Sequence, residues 1–361
     1  MPAVPVHWRT LALDPPHAFG APPVAGQVRT TADDFLVDEI LGFEPAGEGP
    51  HLLLRVRKRG ANTEWVAREL ARRACCRPFD VGFAGLKDRH AVTTQWFTVP
   101  RGKGGPDDWR AVTGDGYEVI EAHLHRRKLP RGALAGNRFE LRIRGVEGDR
   151  AALAARLALI GAQGVPDYFG PQRFGRELSN LARLAAGDWE TDRGHTLSAA
   201  RSLLFNAVLA RRVADGSWAR LEPGDVANLG GTGSVFEVES VDPALAERVA
   251  ALDVHPTGPL WGRGAGRTRG RIAALEAEVG AQFDDLCSGL IAADLEPARR
   301  SLRVAVCDLA HAFEDDALVL RFRLTAGSFA TTVLREAIDG TIPTRAGHTP
   351  RRYRRRPGVR R

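Results

Sequence analysis

The stretch from 138 to 144 constrains the fold most, because its side chains alternate strictly between apolar and charged. Phe139, Leu141 and Ile143 occupy one face of this stretch, and arginine and glutamate side chains occupy the other. Such alternation is typical of a strand in a sheet that buries one face. Antiparallel sheets often have one solvated face, whereas strands of doubly wound parallel sheets are almost continuously apolar. We therefore expect an α+β fold with a mixed, mainly antiparallel sheet.

The order of strand and helix patterns along the chain indicates the domain organisation. Strands are also predicted at 28–40, 51–57, 117–124 and 317–324, and helices at 63–75 and 197–213. Asn62 or Thr63 can cap the first of these helices, and Ser328 can cap a helix after the last strand. Residues from about 151 to 309 are largely helical. Because a strand pattern returns after them, the simplest topology is a discontinuous α+β domain with a helical insertion.

Positive charge is concentrated in two parts of the chain, whose formal net charge is +7. Residues 51–147 carry 20 basic and 11 acidic side chains, and residues 341–361 carry 8 basic and no acidic ones. This distribution is expected of a protein that holds a polyanion across an active region.

Hydropathy and cysteine spacing exclude several classes of protein. No apolar run approaches the roughly 18 residues of a membrane helix, and the first residues lack the pattern of a secretion signal. We therefore expect a cytoplasmic protein with no membrane partner. The four cysteines form neither a CxxC pair nor a Cys/His ligand spacing, so we expect free thiols and no metal site.

The segment 83–97 carries the strongest indication of chemistry. Asp88 stands between Lys87 and Arg89, shortly after a glycine, with apolar or alternating residues on both sides. This pattern predicts a strand, a loop and a second strand, with the carboxylate in the loop, where functional groups are commonly presented. An ordinary solvated hairpin turn with three surface charges would have the same pattern.

Four separated motifs follow one another along the chain. They are AGLKDRHAVTTQWF at 84–97, GVPDYFGPQRFG at 164–175, LSAARSLLFNAVLARR at 197–212 and AGSFATTVLRE at 326–336. Together they resemble the TruD family of tRNA pseudouridine synthases, and four motifs in one order are far more specific than one. The resemblance implies a discontinuous catalytic domain, 1–162 and 307–361, and a largely helical α+β insertion domain, 163–306.

The resemblance implies that a uridine in tRNA, typically position 13 in the D arm, is isomerised to pseudouridine. Such an enzyme cuts the bond from C1′ to N1, rotates the uracil and joins C1′ to C5, with no cofactor, no metal and no obligatory protein partner. Asp88 is the expected essential carboxylate, because an aspartate is ionised at neutral pH and Lys87 and Arg89 would keep it so. These two cations could bind phosphates or order the loop. The sequence leaves open whether Asp88 attacks C1′ or C6, or removes a 2′ proton.

The resemblance also implies how the detached uracil is held. Phe35, Phe139 and Phe329 are at positions where the family has aromatic side chains near the substrate. Stacking on an aromatic ring contributes about 1 to 3 kcal/mol per base, which offsets part of the cost of unstacking it. Asn137 is expected to bind the substrate or to anchor a loop. Phe139 also has an ordinary role available, because it shares a strand face with apolar neighbours.

Two parts of the chain depart from the family pattern. Asp167 stands where the family has asparagine, so a phosphate contact made by that amide would be lost here. The arginine-rich tail, from about 345 to 361, is either an added RNA-affinity segment or an extension without fixed structure.

Two other functions fit the sequence. The first is a non-catalytic RNA-binding or tRNA-folding module on the same scaffold, which would leave Asp88 without a task. The second is a base-exchanging or hydrolytic ribosyl transferase, which would release free uracil.

Overall fold

The computed structural model describes residues 3–102 and 104–341, so the predicted arginine-rich tail lies outside the described residues. The helices of this part are α1 (Val6–Leu13), α2 (Thr63–Arg73), α3 (Arg150–Gln163), α4 (Ser179–Ala185), α5 (Arg193–Ala214), α6 (Pro243–Ala250), α7 (Gly270–Gln282), α8 (Asp284–Ala292) and α9 (Ala330–Ala337). The strands are β1 (Val24–Val28), β2 (Phe35–Ile40), β3 (His51–Arg59), β4 (Gly82–Phe83), β5 (Val92–Pro100), β6 (Thr113–Gly114), β7 (Tyr117–His125), β8 (Gly136–Gly148), β9 (Val165–Pro166), β10 (Val226–Leu229), β11 (Val235–Glu237), β12 (Val254–Leu260), β13 (Ala298–Ser301), β14 (Arg303–Val304), β15 (Cys307–Glu314), β16 (Ala317–Thr325) and β17 (Ile338–Thr341).

An eleven-stranded sheet takes its strands from both ends of the chain. Its strand order is β15-β16-β8-β2-β5-β3-β7-β6, while β1 lies beside both β8 and β17, and β4 lies beside β5. Within the described residues, β1 with β17 and β2 with β5 are parallel pairs, and the other pairs of this sheet are antiparallel. The predicted α+β fold with a mixed, mainly antiparallel sheet is therefore confirmed.

Strand β8 lies inside this sheet and has the predicted alternation. Phe139, Leu141 and Ile143 are buried in one core with side chains of α3 and α9. On the opposite face Arg142 and Arg144 form ion pairs with carboxylates of neighbouring segments. The apolar face of β8 is thus covered by two helices that lie far apart in sequence.

The predicted strand 28–40 is interrupted in the structure. Strands β1 and β2 both pair with β8, but residues 29–34 leave the sheet between them. Arg29 adopts a left-handed backbone with φ of +61°. The buried carboxylate of Asp34 accepts hydrogen bonds from the Thr31 N–H at 2.7 Å and from the Arg144 guanidinium at 2.7 Å. These contacts hold a turn that the alternating pattern of the sequence conceals.

The predicted helix starts differ from the observed ones in their capping. Asn62 is the N-cap of α2, but its side chain makes no capping hydrogen bond, and the Thr63 hydroxyl donates to the Gln95 side chain at 2.8 Å. Ser328 does not cap α9, because Phe329 is the N-cap residue. The Ser328 hydroxyl lies 3.4 Å from that of Thr325.

The chain between α3 and β15 forms α4 to α8 around a four-stranded sheet with the order β11-β10-β12-β13. The sequence pattern showed the helices but not this sheet, because its strands are short and β12 contains prolines and a glycine. Helix α1 packs against α5, with Ala12 in the same core. The limits 163 and 306 of the insertion domain stay a prediction. No helix in the described ranges is long and apolar enough to cross a membrane.

Candidate active site

A cleft of about 530 Å³ brings together residues that are remote in sequence. We name it the Asp88 cleft. The loop after β4, the first residues of β8 and the start of α9 line one side, and residues 168–173 with the first half of α5 line the other. The structure places six of the seven predicted site residues in its wall, namely Phe35, Lys87, Asp88, Asn137, Phe139 and Phe329. Arg89 is not in this wall.

The Asp88 carboxylate lies in the loop between β4 and β5, as predicted. Its side chain is 55% exposed, and its Oδ2 accepts a hydrogen bond from Arg29 Nη2 at 2.9 Å. The expectation that Lys87 and Arg89 supply the positive charge at this carboxylate is wrong, because both side chains have other partners. The cation beside Asp88 is Arg29, whose left-handed backbone turns it out of the sheet.

Lys87 and Arg89 contact the protein itself. The Lys87 ammonium is 2.6 Å from the Glu39 carboxylate, and both side chains are buried. The other oxygen of Glu39 accepts the Trp96 N–H at 3.2 Å. Arg89 Nε donates to the Gly60 carbonyl at 3.0 Å. Of the two roles predicted for these cations, phosphate binding and loop order, the buried ion pair of Lys87 favours loop order.

Buried polar side chains hold the backbone of the Asp88 loop. The Lys58 ammonium donates to the carbonyl of Asp88 at 3.0 Å and lies 3.4 Å from that of Lys87. Burial lowers the pKa of Lys58 to about 8. The Thr63 hydroxyl accepts the Lys87 N–H at 3.0 Å and donates to Gln95 at 2.8 Å. The main chain next to the carboxylate is therefore held in place by buried side chains of β3, α2 and β5.

The three predicted aromatic residues differ in exposure. Phe35 and Phe139 pack edge to face with ring centroids 6.3 Å apart, and both are buried in the core as well as lining the cleft. The Arg29 guanidinium lies 3.8 Å from the centroid of the Phe35 ring and covers it. Phe329 is 53% exposed. Phe329 is thus the aromatic ring of these three with a large free surface.

Asn137 is buried at the start of β8, in the wall of the cleft. Within the described part of the chain its Oδ1 atom has no hydrogen-bond partner. A buried amide oxygen without a partner is unfavourable unless a ligand satisfies it. This geometry suits an amide that binds the substrate.

The departure at Asp167 comes directly before Tyr168, which lines the cleft, although Asp167 itself does not line it. Its carboxylate is 2.5 Å from the Arg300 guanidinium, and burial raises the pKa of Asp167 to about 6. The ring centroid of Phe169, two residues further on, is 4.7 Å from the Arg300 guanidinium and 5.1 Å from that of Arg173. The Asp167 carboxylate is therefore bound to an arginine of the same chain.

Three residues of the site were not identified from the sequence. Arg29, Glu39 and Lys58 lie on or beside strands, and each reaches the Asp88 loop across the sheet. No spacing rule connects them with Asp88. Their one sequence signal is a charged residue within a strand pattern, which is also the signal of an ordinary solvated face.

Comparisons with known proteins show which family this chain is similar to. The model of the family described as tRNA pseudouridine synthase D (TruD) matches residues 16–190 and 196–337. The tRNA pseudouridine synthase D of Methylococcus capsulatus is 49% identical over 335 residues, which cover 90% of this chain and 94% of the relative. That of Nitrosococcus oceani is 46% identical over 332 residues, covering 88% and 92%. The crystal structure of a putative tRNA pseudouridine synthase D from Methanosarcina mazei has the same fold, with a TM-score of 0.74, 20% identity and coverage of 93% and 98%.

Proposed function

The chain belongs to the TruD family, and from this premise we propose that it isomerises a uridine of tRNA, at position 13 in the D arm, to pseudouridine. The observation that supports this most directly is the half-exposed Asp88 carboxylate in a cleft with Asn137 and Phe329. The enzyme acts where tRNA is processed, which we propose is the cytoplasm. The proposed reaction uses no cofactor.

Asp88 is proposed as the group that acts on the nucleotide. Arg29 donates a charge-assisted hydrogen bond to its Oδ2 atom, and a carboxylate needs no separate base to act as a nucleophile. Because more than half of the side chain is accessible, the carboxylate can approach the ribose or the uracil. Attack on C1′, attack on C6 and removal of the 2′ proton all need an ionised carboxylate at this place.

The remaining cleft residues are proposed to hold the uracil while it turns. The free Oδ1 of Asn137 can accept the N3–H of uracil, and Phe329 offers a ring for stacking. Phe35 and Phe139 form an apolar floor below them. Excluding water from this floor protects a ribosyl intermediate from hydrolysis.

The proposal is tested by Asp88→Asn with tRNA transcripts. We expect loss of pseudouridine formation, measured by carbodiimide modification and primer extension, with most of the tRNA affinity retained. Asp33→Asn is a matched control, because the Asp33 carboxylate is also 55% exposed and paired with an arginine, Arg59, outside the cleft. Turnover that survives in Asp88→Asn would refute the role of Asp88.

The same assay distinguishes the two alternatives. A wild-type protein that binds tRNA but forms no pseudouridine would be a non-catalytic RNA-binding module. Free uracil in the reaction would identify a ribosyl transferase.

A further inference from the structure

A second cavity adjoins the Asp88 cleft and has no part in the reaction proposed above. Its volume is about 910 Å³, which is within the usual range of ligand pockets. The loop 230–233, the first half of α5, strands β13 and β14, and residues 325–328 form its walls. We name it the arginine cavity after five side chains that line it, Arg173, Arg201, Arg299, Arg300 and Arg303.

Four of these five arginines fall into two groups, and the fifth, Arg300, is paired with Asp167. Arg299 is paired with Glu276 at 2.8 Å, and Arg303 donates to buried carbonyls and to a histidine, so both hold the fold together. Arg173 and Arg201 have no carboxylate partner among the described residues. Burial lowers the pKa of both. A phosphate would offset the cost of keeping these two guanidinium groups partly out of water.

The inner wall of the cavity offers an unused acceptor and an unused donor. Asp167 Oδ2 and Arg300 Nη2 bind each other at 2.5 Å. This leaves Asp167 Oδ1 and Arg300 Nε buried, without hydrogen-bond partners within the described part of the chain. A nucleobase edge presents donors and acceptors side by side and can satisfy both atoms.

The position of the cavity indicates which molecule brings this nucleotide. Phe169, Arg173, Ser198 and Ser328 line both the arginine cavity and the Asp88 cleft, so the two spaces share one wall. A single strand that crosses this wall can fill both spaces with two of its own nucleotides.

We propose that the arginine cavity receives a second extruded nucleotide of the same RNA strand, close in sequence to the target uridine. Its phosphate contacts Arg173 and Arg201, and its base is hydrogen-bonded by Asp167 and Arg300. This proposal rests on the proposed function, because it takes the occupant of the Asp88 cleft to be a uridine of RNA. The cavity then selects the neighbouring sequence, whereas the cleft performs the chemistry.

Two glycines allow the cavity to be filled without strain in the backbone. Gly233 and Gly194 line it, and a Cβ atom added at either would meet no heavy atom within 4 Å. Neither has a positive φ. Gly233→Trp and Gly194→Trp therefore place a large side chain in the cavity from two different walls. Gly266→Trp is the matched control, because a Cβ atom at Gly266 would make only an ordinary contact, 3.9 Å from the Thr268 hydroxyl, and Gly266 lines neither the cavity nor the cleft.

The experiment measures binding of a D-arm RNA by fluorescence anisotropy in an Asp88→Asn background. Each nucleotide that flanks the target is replaced in turn by an abasic one. With the cavity intact, we expect one flanking position at which the abasic replacement weakens binding roughly tenfold. Gly233→Trp should weaken binding of the intact RNA by a similar factor and remove the effect of that same abasic position. Gly266→Trp should change neither.

Several outcomes would overturn the proposal. One is that both cavity variants bind the intact RNA as tightly as the parent protein does. Another is an abasic effect that persists unchanged in both variants. Loss of the effect when free nucleoside monophosphate is added, with no other change in RNA binding, would assign the cavity to a separate small molecule. Because binding in the Asp88→Asn background needs no turnover, a wild-type protein without pseudouridine formation would contradict only the proposed function.

Discussion

Arg29 Nη2 lies 2.9 Å from Asp88 Oδ2, although 59 positions separate the two residues in the chain. The same guanidinium covers the ring of Phe35 at 3.8 Å. One side chain therefore forms an ion pair with the Asp88 carboxylate and covers the apolar floor of the cleft. From this double contact we propose Arg29 as a positioning residue for Asp88.

Replacing Arg29 should lower turnover much more than RNA affinity. We expect Arg29→Met to reduce the single-turnover rate about 100-fold, because the carboxylate loses the cation that orients it. Arg29→Lys should recover part of the rate, since it keeps the charge but lacks the planar group that covers Phe35. The rate is measured at saturating tRNA, with affinity measured separately. Equal losses in the rate and the affinity would show that Arg29 mainly binds RNA.

Lys58 should give the reaction a dependence on alkaline pH. Its pKa of about 8 is below the ordinary value of 10.5 because the side chain is buried. As the pH rises through 8, the ammonium loses one of the donors that hold the loop, so turnover should fall. Lys58→Met should lack this fall and show a lower rate at pH 7. The measurement is the single-turnover rate between pH 6.5 and about 9.5.

Lys58 should affect stability in the opposite direction, because stability rises where turnover falls. Between pH 8 and 10.5 the unfolded chain binds the Lys58 proton and the folded protein has released it. The contribution of Lys58 to the free energy of unfolding therefore rises as the pH increases over that window. This added stability is lost again as the pH falls through 8. Urea unfolding of the wild type and Lys58→Met at several pH values checks this difference. A parallel pH dependence in both proteins would contradict it.

The pair of Glu39 and Lys87 should stabilise the loop without binding phosphate. Removing one partner leaves an uncompensated buried charge, so Glu39→Gln or Lys87→Met should each cost about 3 to 5 kcal/mol of unfolding free energy. The double variant should recover much of this loss. If Lys87 contacts no phosphate, the salt dependence of tRNA binding will be the same in Lys87→Met as in the wild type. A salt-dependence slope smaller by about one unit in Lys87→Met would show that Lys87 contacts a phosphate.

Phe329 should contribute to RNA binding rather than to stability. Its ring is 53% exposed at the cleft, so Phe329→Ala removes a stacking surface of about 1 to 3 kcal/mol and little of the core. Phe79 is 81% exposed and lies outside the cleft, which makes Phe79→Ala a suitable control. We expect weaker RNA binding for Phe329→Ala alone, with small changes in urea unfolding for both.

The buried ion pair of Arg212 and Asp225 should affect stability but not turnover. Arg212 and Asp225 are almost completely inaccessible and are joined by two hydrogen bonds of 2.8 and 3.1 Å. Arg212→Met leaves the Asp225 carboxylate buried and unpaired, so we expect a loss of about 3 to 5 kcal/mol in urea unfolding. At a temperature where the variant is folded, its turnover should equal that of the wild type. A lower turnover there would connect this ion pair with the site.

Local patterns in the sequence were sufficient for much of the fold. The alternation around Phe139 predicted a half-buried strand, and the loop that carries Asp88 was predicted between two strands. Strand and helix periodicities depend on neighbouring residues, so a short segment contains them. The break at 29–34 was missed because Asp34 is satisfied by Arg144, which is 110 positions away.

The candidate site could be predicted only where a motif or a strand pattern marked it. Asp88 and Phe329 lie within two of the motifs, Asn137 directly precedes the alternating stretch 138–144, and the structure brings all three to one cleft. Arg29, Glu39 and Lys58 were missed because their roles depend on which strands are neighbours in the sheet. Such contacts follow from the strand order, which no single segment contains.

The pairing of β8 with β16 also determines when the cleft can form. Strand β8 has β2 on one side and β16 on the other, and the whole insertion is synthesised between β8 and β16. Until β16 leaves the ribosome, one edge of β8 has no strand partner, and the apolar face that carries Phe139 is covered by α3 but not yet by α9. An open edge beside an apolar surface is prone to aggregate. A truncation before β16 should therefore give an insoluble product, rather than a soluble domain that has lost only its activity.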